Sequence, residues 1–531
     1  MAQLVVRGGN IIDGTGSPPF EADLVIDDGR VTFVGNASEV EDARTVDARG
    51  RIVCPGFIDI HNHSDFPLYV DGLAQSGIRQ GLTTLVTGNC GHGPAPAPDR
   101  ELAKQVTVGI NDEWGIDFAW NTFGEYLDSL LSKGQSLNVA PLVPHGTVRL
   151  AAMGFDTRKP TRRGMENMKS FVADAMSAGA VGMSTGLEYS PGRHADVEEL
   201  IELSKVAARH GGIYASHIRE RGDRFEDAVE EALSIAEQAG VHAQLSHLAP
   251  RPYAPAGSFD RVLSRIVSSR QAGLSIGIDT FPDPWGPAHL LDLVPPWVYE
   301  GADEDVLVRL ENPKTAEDCR PYFANPTNFL LRLGGFDKLY LTHSEANRDL
   351  VGESLDAIAG RWGLDPIRTI LRLAAADEKD YAGVMIRHIF ATEEDLDRLL
   401  LEPICSVGSD GAVASKDGIL ASLVMNRSSY GYAPRFIREY ALDRGLFTAQ
   451  EAIRKMTSLP AESVQLTDRG TLKPGMAADV VVMDFETLAD NSTDDEPQAY
   501  PTGVDAVVVN GELVFENGVH TGRTPGRVLS S

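Results

Sequence analysis

A short apolar, β-branched run followed by a helical pattern occurs eight times along this chain, and that alternation restricts its fold more than any single motif. The runs lie at Cys54 to Ile60, Leu82 to Thr87, Asn138 to Val143, Ala180 to Ser184, Gly212 to Ala215, Val241 to Leu245, Leu274 to Ile278 and Ile404 to Val407. Between them apolar residues recur at helical spacing. The clearest case is 223–240, which opens on a capping Asp223 and stops at Gly240. Eight strand and helix units predict an α/β chain built as a (β/α)8 TIM-like barrel.

Both ends break the pattern. Residues 1–53 and 470–531 carry short β runs separated by Gly and Asp turns, such as ADLVIDDGRVTFVG and DAVVVNGELVFENG, and these predict a small β-sandwich domain shared by the two termini. The barrel is then expected over 54–469. Between its seventh and eighth runs lie more than 120 residues, where a crossover needs about a dozen. The Pro- and Trp-rich start of that gap predicts a lid insertion over 284–345.

Composition excludes several classes of partner. Asp and Glu outnumber Lys and Arg by 76 to 48, so the net charge of −28 provides no basic footprint for nucleic acid. No run reaches the roughly eighteen apolar residues of a membrane span, and the amino terminus has no basic region leading into an apolar one, so a cytoplasmic protein without a membrane partner is the expectation. Self-association into a homo-oligomer stays open. Four scattered cysteines, Cys54, Cys90, Cys319 and Cys405, form no disulfide framework.

In a barrel of this kind the chemistry belongs at the carboxyl ends of the strands. His61 and His63 follow the first run, Cys90 the second, His145 the third, His217 the fifth, His247 the sixth and Asp410 the eighth. Imidazole and thiolate donors suit a zinc-like ion, and a period of two places His61 and His63 on one side of their strand. Asp410, in VGSDG, is either a helix N-cap or a general acid/base beside a metal.

The ordered motifs GGNIIDGTG, PGFIDIHNHSD, GNCG, PHGTVR, GLEYSPG, SHIRERGD, SHL, GSDG and RGTLKPGMAADVVVMD resemble those of the amidohydrolase superfamily, and within it the N-acyl-D-amino-acid deacylase family, over nearly the whole chain. The resemblance implies a zinc enzyme that hydrolyses the linear amide of an N-acyl-D-amino acid by metal-activated water. It implies one tight Zn2+ on Cys90, His217 and His247 and a second, weaker position on His61 and His63 with Cys90 shared. Asp410 then acts as general acid/base. No Lys ends the fourth run, where many other amidohydrolases carboxylate one to bridge two metals, and Cys90 as the bridge accounts for that.

Departures from the family concern the substrate. Ala249 stands where relatives carry a Lys that helps to hold the substrate carboxylate, Phe281 replaces a Tyr, and Asn426 to Gly431 replaces a His-Pro-Arg segment. Arg219, Arg251 and Arg427 are candidate replacements, because a guanidinium binds carboxylate bidentately. Glu188, Tyr189 and Asp283 belong to motifs expected at the substrate. The alternative is an amide or carbamate hydrolase of the same family whose substrate lacks the carboxylate. His92, His194, His343 and His388 have no strand-end position.

Overall fold

A computed structural model describes residues 4–40, 43–104, 114–154, 156–300, 303–325, 332, 335–378, 381–423, 426–494 and 496–530. Eight parallel strands pair in chain order: Phe57–Asp59, Leu82–Thr87, Asn138–Pro144, Gly182–Gly186, Ile213–His217, Ala243–Leu245, Ile276–Thr280 and Cys405–Val407. Every residue in them is buried, as expected of strands covered on both faces. Alternate residues serve the two faces. Ile58, Val86, Ala140, Leu142 and Ala215 form one apolar cluster inside the barrel, which Ala461, Val464 and Leu529 complete. Phe57, Leu85, Val139, Val143 and Tyr214 instead join the outer helices.

The helices pack by the same logic. Phe225–Ala239 buries Phe225, Ala228, Val229, Ala232, Leu233 and Ala236, a stripe at i, i+3 and i+4. Gly240 ends it at φ 65°, a left-handed conformation that Gly adopts without penalty. The expected cap is different. Asp223 pairs with Arg332, the helix has no side-chain cap, and Glu220 accepts from the Gly222 and Arg224 amides in the turn that leads into it.

Both chain ends merge into one nine-stranded sheet, in which Ile52–Pro55 lies between Leu4–Ile11 and Val480–Met483. Alternation along its strands is strict: Val480, Val482, Ala506 and Val508 face the small domain's own core, while Val481, Met483, Val507 and Val509 pack on the barrel. The run expected as one strand from Cys54 to Ile60 is therefore two. Ile52–Pro55 belongs to the terminal sheet and Phe57–Asp59 to the barrel, with Gly56 between them, where a Cβ would lie 2.2 Å from Thr83. No side chain fits there.

The insertion runs beyond residue 345. Trp285–His289 and Tyr340–His343 flank a central strand, Met385–Ile389, in a three-stranded antiparallel sheet with its own apolar core, including Leu293, Val298, Leu339, Ile370 and Ile386. Pairing between strands about a hundred residues apart has no local sequence signal, so its far boundary was not readable. No helix among the described residues is long and apolar enough to cross a membrane.

The first and eighth strands meet through side chains and through backbone bonds just past their ends. Asp59 accepts from the Ser409 amide at 2.9 Å, the Ser409 hydroxyl at 2.6 Å and Asn62 Nδ2 at 2.7 Å, while the Asp410 amide donates to the His61 carbonyl at 3.0 Å. Burial pushes the Asp59 carboxyl up to about 6, against the pull of these donors. Replacing Asp59 with Ala strands several buried donors at about 1–3 kcal/mol each, so a lowered denaturant midpoint is expected. Equilibrium unfolding of Asp59→Ala measures it, and an unchanged midpoint would show that the seam is held by other contacts.

Candidate metal centre and active site

The strand ends bring five potential donors and one carboxylate together. Cys90 Sγ lies 3.3 Å from His61 Nε2, 3.6 Å from His217 Nδ1 and 3.6 Å from His247 Nε2. Asp410 Oδ1 lies 3.2 Å from His63 Nε2 and 3.5 Å from His61 Nε2. Two overlapping groups among the described residues have metal-ligand proximity: His61, Cys90 and His247, and His61, His63 and Asp410. His61 belongs to both.

A second layer of carboxylates holds this set. Asp279, at the end of the seventh strand, accepts the His247 amide at 2.8 Å and Gln244 Nε2 at 2.7 Å, and lies 3.3 Å from His61 Nδ1. Glu188 lies 3.0 Å from His217 Nε2 through one oxygen and accepts from Arg251 at 2.6 Å through the other. A carboxylate behind an imidazole fixes the ring so that its opposite nitrogen faces inward. Cys90, His247 and Asp410 all take positive φ, at 53°, 35° and 46°. Non-glycine residues there are held at a cost of about 1–3 kcal/mol each, and such strain concentrates at functional sites. Gly186 makes room for Cys90, since a Cβ on it would lie 2.0 Å from the Cys90 carbonyl oxygen.

Electrostatics favour the ionised forms of the acids. Burial pushes the Cys90 thiol up, but His61 and hydrogen bonds from His217 and His247 overcome this and hold it well below the ordinary thiol value. Asp410 is likewise opposed by burial and held far down by His61 and His63. His63 is raised to about 9 because Asp410 and Cys90 outweigh its desolvation. Burial together with His217 lowers His247 to about 4, the neutral form that ligates a metal. A thiolate, imidazoles and a carboxylate form a donor set that suits Zn2+.

The other residues singled out in the sequence divide clearly. Tyr189 stacks edge-on to His217, with ring centroids 4.7 Å apart, and lines the site beside Glu188. Arg219 is committed to Glu231 and to the carbonyls of Arg193 and Ala195. Arg427 donates to Asp283 at 2.8 Å, and Asp283 also accepts from Arg435 at 2.8 Å, so these residues satisfy one another. His145 turns away to Glu199, 2.9 Å from its Nε2, with Arg149 on the other oxygen. His194 and His343 approach Glu300 and Glu345, respectively. His92 stacks on Tyr189, and His388 meets the Ile389 carbonyl.

Sequence reading missed three participants. Asp59 and Asp279 sit at strand ends, inside motifs already singled out for other residues. Arg221 lies in SHIRERGD, where nothing in the spacing distinguishes it from Arg219.

A barrel carrying this constellation defines a metal-dependent hydrolase of amide bonds. The model of the amidohydrolase family matches residues 44–264 and 321–515, and the chain belongs to that family. It is 34% identical to the N-acyl-D-glutamate deacylase of Alcaligenes xylosoxydans xylosoxydans, over 99% of this chain and 96% of the relative, and 30% identical to a D-aminoacylase of the same organism, over 99% and 97%. Among solved structures it resembles the N-acyl-D-glutamate deacylase of Bordetella bronchiseptica in complex with zinc and a phosphonate inhibitor, a mimic of the tetrahedral intermediate, with a TM-score of 0.82, 32% identity and full coverage of both chains. A D-aminoacylase studied for its binuclear metal centre, with one-metal activation and second-metal attenuation, gives 0.81 at 29% identity, again over both whole chains.

Glu188 provides a test of the second layer. Glu188→Gln keeps the shape but weakens the hold on His217, and metal affinity is expected to fall about 10–100-fold. Competition of the zinc-loaded protein against a chromogenic chelator reads it, and unchanged affinity would remove Glu188 from the metal's support.

Proposed function

We propose that this chain is a zinc-dependent N-acyl-D-amino-acid deacylase that hydrolyses a linear amide with Asp410 as general acid/base. The observation that carries the reading is the place of Asp410, an ionised carboxylate 3.2 Å from His63 Nε2 and 3.5 Å from His61 Nε2 beside the Cys90 cluster. A helix cap has no use for that position, and no helix begins at Asp410. Whole-length similarity to deacylases of N-acyl-D-amino acids supports the substrate class.

Cys90, His217 and His247 would hold the tighter zinc, with His61 and His63 at a second, weaker position that shares Cys90. Bound there, zinc supplies Lewis acidity to the amide carbonyl and lowers the pKa of its water to about 7. Asp410 takes a proton from the attacking water and passes it to the amide nitrogen as the C–N bond breaks. His61 and His63 keep that carboxylate charged until the proton arrives. Asn426 supports the arrangement from behind, its Nδ2 donating to the Asp410 carbonyl at 3.0 Å. Phe281 and Phe390, with ring centroids 4.4 Å apart, wall the side next to His247 and keep water from it.

The second reading, an amide or carbamate hydrolase for a substrate without the carboxylate, draws on Ala249 and Phe281, both buried and apolar where the family resemblance implies Lys and Tyr. A panel of N-acyl-D-amino acids, their L-enantiomers and the corresponding amides separates the two. Turnover confined to the uncharged amides would reject the deacylase reading. Chelation is expected to abolish turnover and added zinc to restore it. Asp410→Asn should lower kcat about 10²–10⁴-fold while zinc content stays constant, and full turnover in that variant would overturn the role of Asp410.

A further inference from the structure

The arginines suggested by the sequence as carboxylate receptors are already paired within the protein. Arg219 binds Glu231, Arg427 binds Asp283 and Arg251 binds Glu188. Arg221 differs from all three. It follows the fifth strand, past His217, and is only 4% exposed. Its Nε has no hydrogen-bond partner, and its Nη1 makes only a 3.5 Å contact with the carbonyl of His247. The guanidinium carbon lies over the Phe390 ring, 4.5 Å from its centroid, at the end of the inserted unit.

Its charge surroundings point the same way. Arg251 is close enough to repel it, and Glu188, the carboxylate between them, uses one oxygen for Arg251 and the other for His217. Asp410 contributes to the local field, yet no carboxylate among the described residues lies within ion-pair distance of Arg221. Two buried guanidinium groups therefore lie near one half-buried carboxylate, and only Arg251 pairs with it. A buried charge of this kind needs a partner, and burying one without a partner is costly. The missing partner is an anion, and the contact with the His247 carbonyl puts its seat one side chain away from the metal-ligating cluster.

We propose that Arg221 receives the substrate's α-carboxylate, with Phe390 as the apolar platform against which the guanidinium rests. This rests on the deacylase reading and supplies the contact that Ala249 and Phe281 no longer make. The α-carboxylate is two bonds from the scissile nitrogen, which matches a receptor adjacent to the metal-ligating His247. A side-chain carboxylate would need a receptor farther out. Arg221 is thus a specificity residue, expected to act on binding more than on turnover.

The test uses the zinc-loaded full chain and two matched pairs: N-acetyl-D-leucine with N-acetyl-D-leucinamide, and N-acetyl-D-glutamate with N-acetyl-D-glutamine. Arg221→Met retains the bulk and relieves the repulsion with Arg251. It should lower kcat/KM about 10–100-fold on N-acetyl-D-leucine, mainly through KM, and leave N-acetyl-D-leucinamide within about twofold, the range expected for a charged hydrogen bond. Arg221→Lys should lose less, on the same substrate only. Equal loss on acid and amide in both variants, with wild type favouring the acid, would overturn the Arg221 assignment and leave the deacylase reading intact. A wild type that favours the leucinamide would overturn both. Loss on N-acetyl-D-glutamate but not on N-acetyl-D-glutamine or N-acetyl-D-leucine would move Arg221 to a side-chain carboxylate and overturn the α-carboxylate assignment. Zinc content and thermal midpoint separate any general damage to the fold.

Discussion

Asp59 joins the first strand of the barrel to the last, and the site exists only when that joint is made. Its carboxylate gathers the Ser409 amide, the Ser409 hydroxyl and Asn62, and in doing so draws the loop carrying His61 and His63 against the loop carrying Asp410. The two loops are nearly 350 residues apart in the chain. Backbone hydrogen bonds between neighbouring strands can stack seven of the eight interfaces in order, but the last requires the sheet to curl until its edges meet. An acid buried at one edge that accepts two hydrogen bonds from Ser409 on the other makes closure specific. Asp410 and the imidazoles beside it come from opposite sides of this seam, so the geometry of the site and the closure of the barrel are linked.

Strain and charge around the cluster follow from the same convergence. Three ring nitrogens face one sulfur, and Cys90, His247 and Asp410 sit in left-handed backbone conformations that ordinary residues avoid. The surrounding barrel supplies the burial that overrides this local cost. Glu188 and Asp279 then orient the rings from outside. In this arrangement the first ring of donors is only as well placed as the acids behind it.

Much of this was legible from residue order alone. Strands buried on both faces leave uninterrupted β-branched runs, so all eight could be located, and a strand end followed by His, Cys or Asp is a visible event. What eluded reading depends on side-chain direction and distant pairing. Arg219 and Arg221 are two residues apart in one loop, yet one turns outward to Glu231 and the other inward against Phe390. His145 has the same strand-end position as the clustered histidines and is drawn off by Glu199. Met385–Ile389 pairs across a gap that no local pattern spans, and Gly56 divides one apparent strand between two sheets.

The terminal sheet has a bearing on how the chain is made. Its first five strands are complete by Pro55, while Val480–Met483, which pairs with Ile52–Pro55, is synthesised more than four hundred residues later. During that interval the exposed edge and the valines meant for the shared core have no partner. Such long sequence separation slows folding and leaves an open strand edge available for wrong pairing. The barrel is made next to a half-built support, which is completed only by strands that follow it in the chain.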